Sequence, residues 1–243
     1  MADPKLVAEL APTGALRAAI NMGNFLLVTG KTASGDPTGV SPSMAAAIAE
    51  RLGVPVKYVP YARPGELADD AGKGLWDIGN IGAEPQRAQK IFFTAAYCEI
   101  ESTYLVPAGS PIKAIAEVDQ AGKKVAVTAR SAYCLWLENN LQHAELVQFD
   151  GAAAALAEFD GGKFDAYAGL RPGLIGEAEK RPGSRILEGQ FAAVQQAVGT
   201  AKSNILASNF LADFVEEAKR DGLVQKFIEE HGVVGRLSVA PPA

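Results

Sequence analysis

The stretch WDIGNIGAEPQRAQKIFFTAAY, residues 76–97, places Arg87 between a run of mostly apolar and small residues and an aromatic pair. The first part has the composition of a buried strand, and GAEPQR predicts a turn with Pro85 at the start of a helix. Arg87 would then project from the first turn of that helix, beside backbone N–H groups that lack an intrahelical partner. A planar guanidinium next to free backbone donors suits a carboxylate, so the stretch predicts a carboxylate-binding arginine. The alternative is a solvated surface arginine paired with an acid.

The composition of the chain limits what this arginine can bind. With 243 residues and 48% hydrophobic side chains, the chain is long enough for one large core or two smaller ones. A net charge of -5 and a charged fraction of 21% provide no basic face for a polyphosphate backbone, which argues against nucleic acid as a partner. The sequence has no run of about eighteen apolar residues, so we expect no membrane-spanning helix.

The cysteines and histidines indicate neither a metal site nor a catalytic centre. Cys98 and Cys134 lie far apart and lack the CxxC spacing of a zinc or redox motif, and whether they pair stays open. His143 and His231 are the only histidines, and neither belongs to an HExxH or GxSxG pattern. We therefore expect no metal, no cofactor and no catalytic residue.

Apolar strand patterns alternate with helical patterns along the whole chain. LRAAI at 16–20 reads as a strand, and SPSMAAAIAERLG at 41–53 as a helix with Ser41 as N-cap and Gly53 at its end. The alternation predicts an α/β fold with helices covering mainly parallel sheets. The other predicted elements are the strands at 54–61, 75–82, 102–108, 123–129, 145–149 and 164–170, and the helices at 67–74, 131–142 and 151–162.

A weak internal sequence similarity predicts two lobes of similar build. GKGLWDIGNIG at 72–82 and GGKFDAYAGL at 161–170 each put Gly and Lys before an aromatic residue, an Asp and a strand. Ligands collect at the carboxyl ends of parallel strands, where backbone donors point outward. The segments after Ile81 and after Ala168 are therefore expected to face one another across a cleft.

In their order, these segments resemble the extracytoplasmic solute-binding proteins of ABC transporters, amino-acid-binding type. The resemblance covers about residues 14–232 and implies the two-lobed type II fold, in which hinge closure captures a solute. It implies lobe 1 from residues 1–99 and 197–243, lobe 2 from residues 100–196, and a ligand cleft between the lobes. The similar stretches are LRAAINMGNFLLVTGKTASGDPTGVSPSMAAAIAERLGVPVKYVPY at 16–61, DIGNIGAEPQRAQKIFFTAAY at 77–97, GKKVAVTARSAYCLWL at 122–137, and ASNFLADFVEEAKRDGLVQKFIEEHG at 207–232.

The resemblance also implies particular ligand-binding residues. Arg87 matches the family's carboxylate-binding arginine, with Gly82 and Ala83 in the adjoining turn. Ser131 and Ala132 fall at the helix start that supplies donors from the second lobe, where Ser131 also suits an N-cap. The expected ligand-binding residues are Asn21, Asn24, Asn80, Gly82, Ala83, Glu84, Arg87, Glu99, Ser131, Ala132, Tyr133, Arg171 and Gln195. Of these, Asn21 and Asn24 also suit loop turns, and Tyr133 also suits packing.

Departures from the family pattern leave the ligand open. Leu170 and Arg171 stand where an acid usually clamps an α-ammonium group, which counts against ordinary amino acids. An inward Arg171 would demand a second negative charge on the ligand, whereas the alternative is that RPG merely starts a helix. Glu99 or Glu101 could replace the missing clamp. Glu84 stands in place of the usual Thr or Ser before the arginine, and Ala96 in place of a proline.

We expect an extracytoplasmic substrate-binding protein of an ABC importer that captures a small carboxylate-bearing solute, an amino acid or a related organic acid. Its expected partner is a permease in the inner membrane, and its expected state is a monomer. The resemblance implies a periplasmic protein. MADPKLVAEL at the start lacks the features of a signal peptide, so we expect the signal peptide to have been removed. The alternatives are an enzyme on the same scaffold, similar to cyclohexadienyl dehydratases, and the ligand-binding domain of a sensory receptor.

Overall fold

The computed structural model describes residues 3–243, which alternate between helices and strands. The helices are α1 (Pro4–Leu10), α2 (Val40–Leu52), α3 (Pro64–Asp69), α4 (Ala132–Asn140), α5 (Ala152–Asp160), α6 (Arg171–Glu179), α7 (Ile205–Arg220) and α8 (Leu223–Glu230), with 3-10 turns at Arg87–Gln89 and Ile115–Glu117. The strands are β1 (Leu16–Asn21), β2 (Gly30–Lys31), β3 (Pro37–Thr38), β4 (Val56–Tyr61), β5 (Ile78–Gly82), β6 (Ile91–Val106), β7 (Lys124–Thr128), β8 (Glu145–Phe149), β9 (Ala166–Leu170), β10 (Arg185–Ile186), β11 (Ala192–Ala201) and β12 (Ser238–Val239).

The chain forms two compact units. Unit 1 contains the residues up to Glu99 together with Gln195–Ala243, and unit 2 is Ile100–Val194. The chain passes from one unit to the other inside two long strands, β6 and β11. None of the helices in residues 3–243 combines the length and apolar character that crossing a membrane requires.

In unit 1, β1 lies between β4 and β5 and pairs with both in parallel. β11 pairs antiparallel with β5, so the Gly82 end of β5 lies opposite Gln196. α2 covers this sheet because its apolar positions recur on one side of the helix. The helix ends at Gly53, whose φ of 71° is the left-handed conformation that glycine adopts without steric cost. The buried residues of α2 are Val40, Ser41, Pro42, Met44, Ala45, Ile48, Ala49 and Leu52.

Unit 2 repeats the arrangement. β7 lies between β8 and β9 and pairs with both in parallel, and the last part of β6 pairs antiparallel with β9. α4 begins after Ser131, whose side-chain oxygen accepts a hydrogen bond from the Cys134 N–H at 3.2 Å. The prediction of Ser131 as an N-cap is therefore confirmed, as is the α/β fold with parallel strands and flanking helices.

Three local predictions are wrong. α2 begins two residues earlier than expected, at Val40 with Gly39 as N-cap, so Ser41 lies buried inside the first turn. The helix expected at 67–74 is α3, which begins at Pro64 and ends at Asp69. No α-helix follows Pro85, because β6 starts at Ile91 and leaves room only for the 3-10 turn Arg87–Gln89.

Candidate functional site

The turn that follows β5 in unit 1 carries the residues predicted to bind a carboxylate. The Ala83 N–H donates to the Gln195 carbonyl at 2.8 Å, and the Ala88 N–H donates to the Glu84 carbonyl at 2.9 Å. The Ala83 amide is therefore used within the fold rather than directed at a ligand. These backbone bonds fix the turn in one conformation and hold its side chains close to the end of β5.

Arg87 is buried in this turn, with only 5% of its surface exposed. Its Nη1 donates to the Gly82 carbonyl at 2.8 Å. This bond fixes the orientation of the guanidinium, whose planar fork suits an anion with two acceptor oxygens. The alternative of a solvated surface arginine does not fit this burial.

Glu84 lies in the same turn and is 7% exposed. Burial raises the pKa of its carboxyl from 4.5 to about 7, and the positive charge of Arg87 acts in the opposite direction. Glu84 is therefore an acid that changes its charge near neutral pH, beside the arginine that is the candidate anion receptor.

Gln195 connects the turn to Glu99. Its backbone carbonyl accepts from Ala83, and its side-chain amide Nε2 donates to the Glu99 carboxylate at 2.9 Å. Glu99 is half-buried and lies in β6, where it faces Ser238 of β12 in the strand register. One glutamine thus holds an acid near the turn that contains Arg87.

The three asparagines predicted to line a pocket all have structural hydrogen bonds. Asn21 Oδ1 accepts from the Gly23 N–H at 3.1 Å, and Asn24 Oδ1 accepts from the Leu26 N–H at 3.1 Å, as in turn-forming asparagines. The Asn80 side chain is 1% exposed and donates from Nδ2 to the Ser41 carbonyl at 3.0 Å. Asn80 therefore lies in the core of unit 1.

In unit 2, the start of α4 presents a second set of polar groups. Ser131 Oγ donates to the Thr128 carbonyl at 2.8 Å, and Ser131 and Ala132 are each 8% exposed. Burial raises the pKa of the Tyr133 hydroxyl, while the neighbouring side chains of Thr128 and Ser131 act in the opposite direction. Sequence reasoning did not single out Thr128, although its place at the end of a strand just before a helix is a recognisable signal. The first N–H groups of α4 lack intrahelical partners, as in helix N-termini that receive anions.

Arg171 begins α6 and is held within unit 2. Its Nε donates to Glu101 Oε2 at 2.6 Å, and its Nη2 donates to the carbonyls of Leu187 and Gly189. The ion pair is partly exposed, with 27% of the Arg171 side chain and 57% of the Glu101 side chain accessible. The charge of Arg171 is therefore balanced by Glu101, and the expectation of a second unpaired arginine loses its basis.

Cys98 and Cys134 are free and buried, so they form no disulfide. Burial raises the pKa of both thiols, which keeps them protonated and unreactive.

His231 Nε2 lies 2.8 Å from Ser43 Oγ, which fastens the end of α8 to α2. Within residues 3–243, no three His, Cys, Asp or Glu side chains cluster in a way that would hold a metal ion.

Comparison with known sequences identifies the family. The sequence profile of the bacterial extracellular solute-binding proteins, family 3, matches residues 23–233, and the chain belongs to this family. This membership makes the chain a bacterial extracellular solute-binding protein rather than an enzyme. The resemblance drawn from the sequence is thereby confirmed.

Among individual relatives, the L-cystine-binding protein TcyJ of Escherichia coli (strain K12) is 25% identical over 198 residues, which are 81% of this chain and 74% of TcyJ. The solved solute receptor for L-cysteine of Neisseria gonorrhoeae has a TM-score of 0.76 at 20% identity, covering 97% of this chain and 99% of the receptor. The ancestral amino acid-binding protein AncCDT-1, a precursor of cyclohexadienyl dehydratase, has a TM-score of 0.72 at 24% identity and covers 92% of this chain and 98% of its own. These structures share the two-lobed fold of periplasmic binding proteins.

Proposed function

We propose that this protein captures a small carboxylate-bearing solute in the periplasm and delivers it to an ABC permease in the inner membrane. The observation that carries the proposal is Arg87, a guanidinium only 5% exposed at the end of β5 in a turn fixed by backbone hydrogen bonds. A planar fork in this environment receives a carboxylate through two parallel hydrogen bonds. The Gly82 carbonyl already holds one nitrogen of the fork and fixes its orientation.

The solute that fits this arrangement best is an α-amino acid. Arg171 is neutralised by Glu101, so unit 2 makes no demand for a second negative charge on the ligand. Glu99, held by the Gln195 amide, supplies an acid for an ammonium group at a position other than the family's usual one. An ammonium group that leaves water costs several kcal/mol without such a partner, so Glu99 is essential to this proposal.

Unit 2 contributes the start of α4 to the same function. We propose that its first N–H groups provide donors for a second group of the solute and that Tyr133 provides a ring that packs on it. Because the chain changes unit inside β6 and β11, we propose that these two strands act as the hinge and that solute binding closes one unit on the other.

A thermal-shift screen of L-amino acids, matched deaminated acids and dicarboxylates tests the proposal. L-cystine and L-cysteine belong in the screen because they are the named ligands of two of the relatives. A ligand at a hundred times its dissociation constant stabilises the native state by about 2.7 kcal/mol, which is a readily measured shift. We expect at least one L-amino acid to raise the melting temperature. A screen in which no carboxylate stabilises the protein contradicts the proposal.

A further inference from the structure

A buried cluster of polar side chains lies in unit 1, away from the turn that contains Arg87. It consists of Ser41 in the first turn of α2, Asn80 in the middle of β5 and Tyr97 in β6. Their exposed fractions are 2%, 1% and 0%. On β5, the position of Gly79 faces Leu67 and Trp76, so Asn80 faces the opposite side of the sheet, toward α2.

One hydrogen bond and one electrostatic effect link the three residues. Asn80 Nδ2 donates to the Ser41 carbonyl at 3.0 Å, which fixes the amide orientation, because a flipped amide would set two oxygens against each other. Burial raises the pKa of the Tyr97 hydroxyl well above its ordinary value, and the nearby Ser41 side chain acts in the opposite direction. Ser41 is thus the neighbour of both other residues.

Each member of the cluster has one polar atom that protein groups leave unsatisfied. Ser41 Oγ, Asn80 Oδ1 and Tyr97 Oη have no hydrogen-bond partner among residues 3–243. Leaving one such group unsatisfied in a protein core costs about 1–3 kcal/mol. Three in one place are therefore a strong indication of a bound molecule that supplies the missing hydrogen bonds.

We propose that Ser41, Asn80 and Tyr97 bind one buried water molecule that joins α2, β5 and β6. Water matches the chemistry of the three atoms, because it donates to Asn80 Oδ1 and to one hydroxyl while it accepts from the other hydroxyl. A direct bond between Ser41 and Tyr97 would satisfy the two hydroxyls but would leave Asn80 Oδ1 unpaired. The water holds β5 two residues before Gly82 and β6 two residues before Glu99.

A crystal structure of the protein at a resolution that shows ordered water tests the proposal directly. We expect a water within about 2.7–3.2 Å of Asn80 Oδ1 and of at least one of the two hydroxyls. Density that shows a direct Ser41–Tyr97 hydrogen bond and no water at Asn80 Oδ1 overturns the proposal.

The melting temperature of Tyr97→Phe tests in solution whether the hydroxyl is hydrogen-bonded at all, whereas the crystal structure distinguishes water from Ser41 as its partner. If the hydroxyl is bonded, its removal lowers the melting temperature; if it is unpaired, its removal leaves the temperature unchanged or raises it. Tyr58→Phe is the matched control, since the Tyr58 hydroxyl donates to the Pro42 carbonyl at 3.1 Å and its loss must destabilise. Ser41→Ala repeats the test at a second member, and the double variant should lose less than the sum of the two single losses. A rise in melting temperature for both single variants contradicts the proposal.

Discussion

At the scale of the residue, the proposed function depends most on Arg87. Its side chain is almost fully removed from water and donates a hydrogen bond to the Gly82 carbonyl. Its positive charge lowers the pKa of Glu84, against the effect of burial. A buried charge of this kind is worth most to a ligand that brings the opposite charge and two hydrogen-bond acceptors. The same burial means that Arg87 also contributes to the stability of the turn.

Replacing Arg87 by Ala should weaken ligand binding by about 2–5 kcal/mol, the range for truncating one partner of a buried charge pair. Stability should also fall, because the Gly82 carbonyl loses its donor. Arg87→Lys separates the two effects, since it keeps the charge but cannot form two parallel bonds. Calorimetric titration and urea unfolding measure them, with the exposed Arg220→Ala as control. Affinity retained within about a factor of two in Arg87→Ala would show that Arg87 does not bind the solute.

Glu84 should make the stability of the ligand-free protein depend on pH. The pKa of its carboxyl is 4.5 in the unfolded chain and about 7 in the folded protein. Between pH 4.5 and about 7, the unfolded chain therefore loses a proton that the folded protein keeps. The contribution of Glu84 to the free energy of unfolding should therefore be greatest below pH 4.5, fall as pH rises to about 7, and stay level above it.

Glu84→Gln should remove this decline, because the amide does not titrate. Urea unfolding at intervals between about pH 4.5 and 8 measures the difference between the wild type and the variant. Glu179→Gln on the exposed end of α6 is the control and should follow the wild type. An identical pH profile for wild type and Glu84→Gln contradicts the pKa assigned to Glu84.

At the scale of the element, the effect of replacing a glycine depends on whether it lies at the end of a helix or inside it. Gly53 ends α2 in the left-handed conformation, with φ of 71°, whereas Gly176 lies inside α6 with no heavy atom near the position of an added Cβ. Gly53→Ala should lower the free energy of unfolding by about 1 kcal/mol, and Gly176→Ala should raise it by about 0.5–1 kcal/mol. Urea unfolding of the two variants measures both changes. If both substitutions changed the free energy of unfolding in the same direction, the ends given for α2 and α6 would be wrong.

Local sequence signals predicted most of these elements. The apolar runs at β7, β8 and β9 and the capping residues Ser131 and Gly53 each act through neighbours a few residues away, so a single sequence contains the information. The helix expected after Pro85 failed because the β6 pattern competes for the same residues and begins at Ile91.

The polar contacts of the site could not be predicted in the same way. Arg171 and Glu101 are separated by 70 residues, and Gln195 and Glu99 by 96, so no local pattern links them. The hydrogen bond from the Ala83 amide to the Gln195 carbonyl is also long-range, because pairing between strands β5 and β11 brings the two residues together. The sequence thus provides candidate site residues, while their hydrogen-bond partners depend on the tertiary fold.

At the scale of the whole molecule, family membership separates binding from catalysis. The fold is shared with a precursor of cyclohexadienyl dehydratase, but a shared fold does not carry an activity. Incubation with prephenate or arogenate should leave both compounds intact, as followed by ultraviolet absorbance and chromatography. Product formation that disappears in Glu84→Gln would instead identify Glu84, whose pKa is about 7, as a general acid.

Calorimetric titration with one L-amino acid and its two truncated analogues tests the central claim most directly. The amino acid is the one that stabilises most in the thermal-shift screen, and the analogues lack either the carboxylate or the amine. We predict that removing the carboxylate weakens binding by about thirtyfold or more, in line with about 2–5 kcal/mol at Arg87. Removing the amine should weaken binding about tenfold or more in the wild type, and this difference should vanish in Glu99→Gln. A deaminated acid that binds as tightly as the amino acid, or tighter, contradicts the assignment of an amino acid to Arg87 and Glu99.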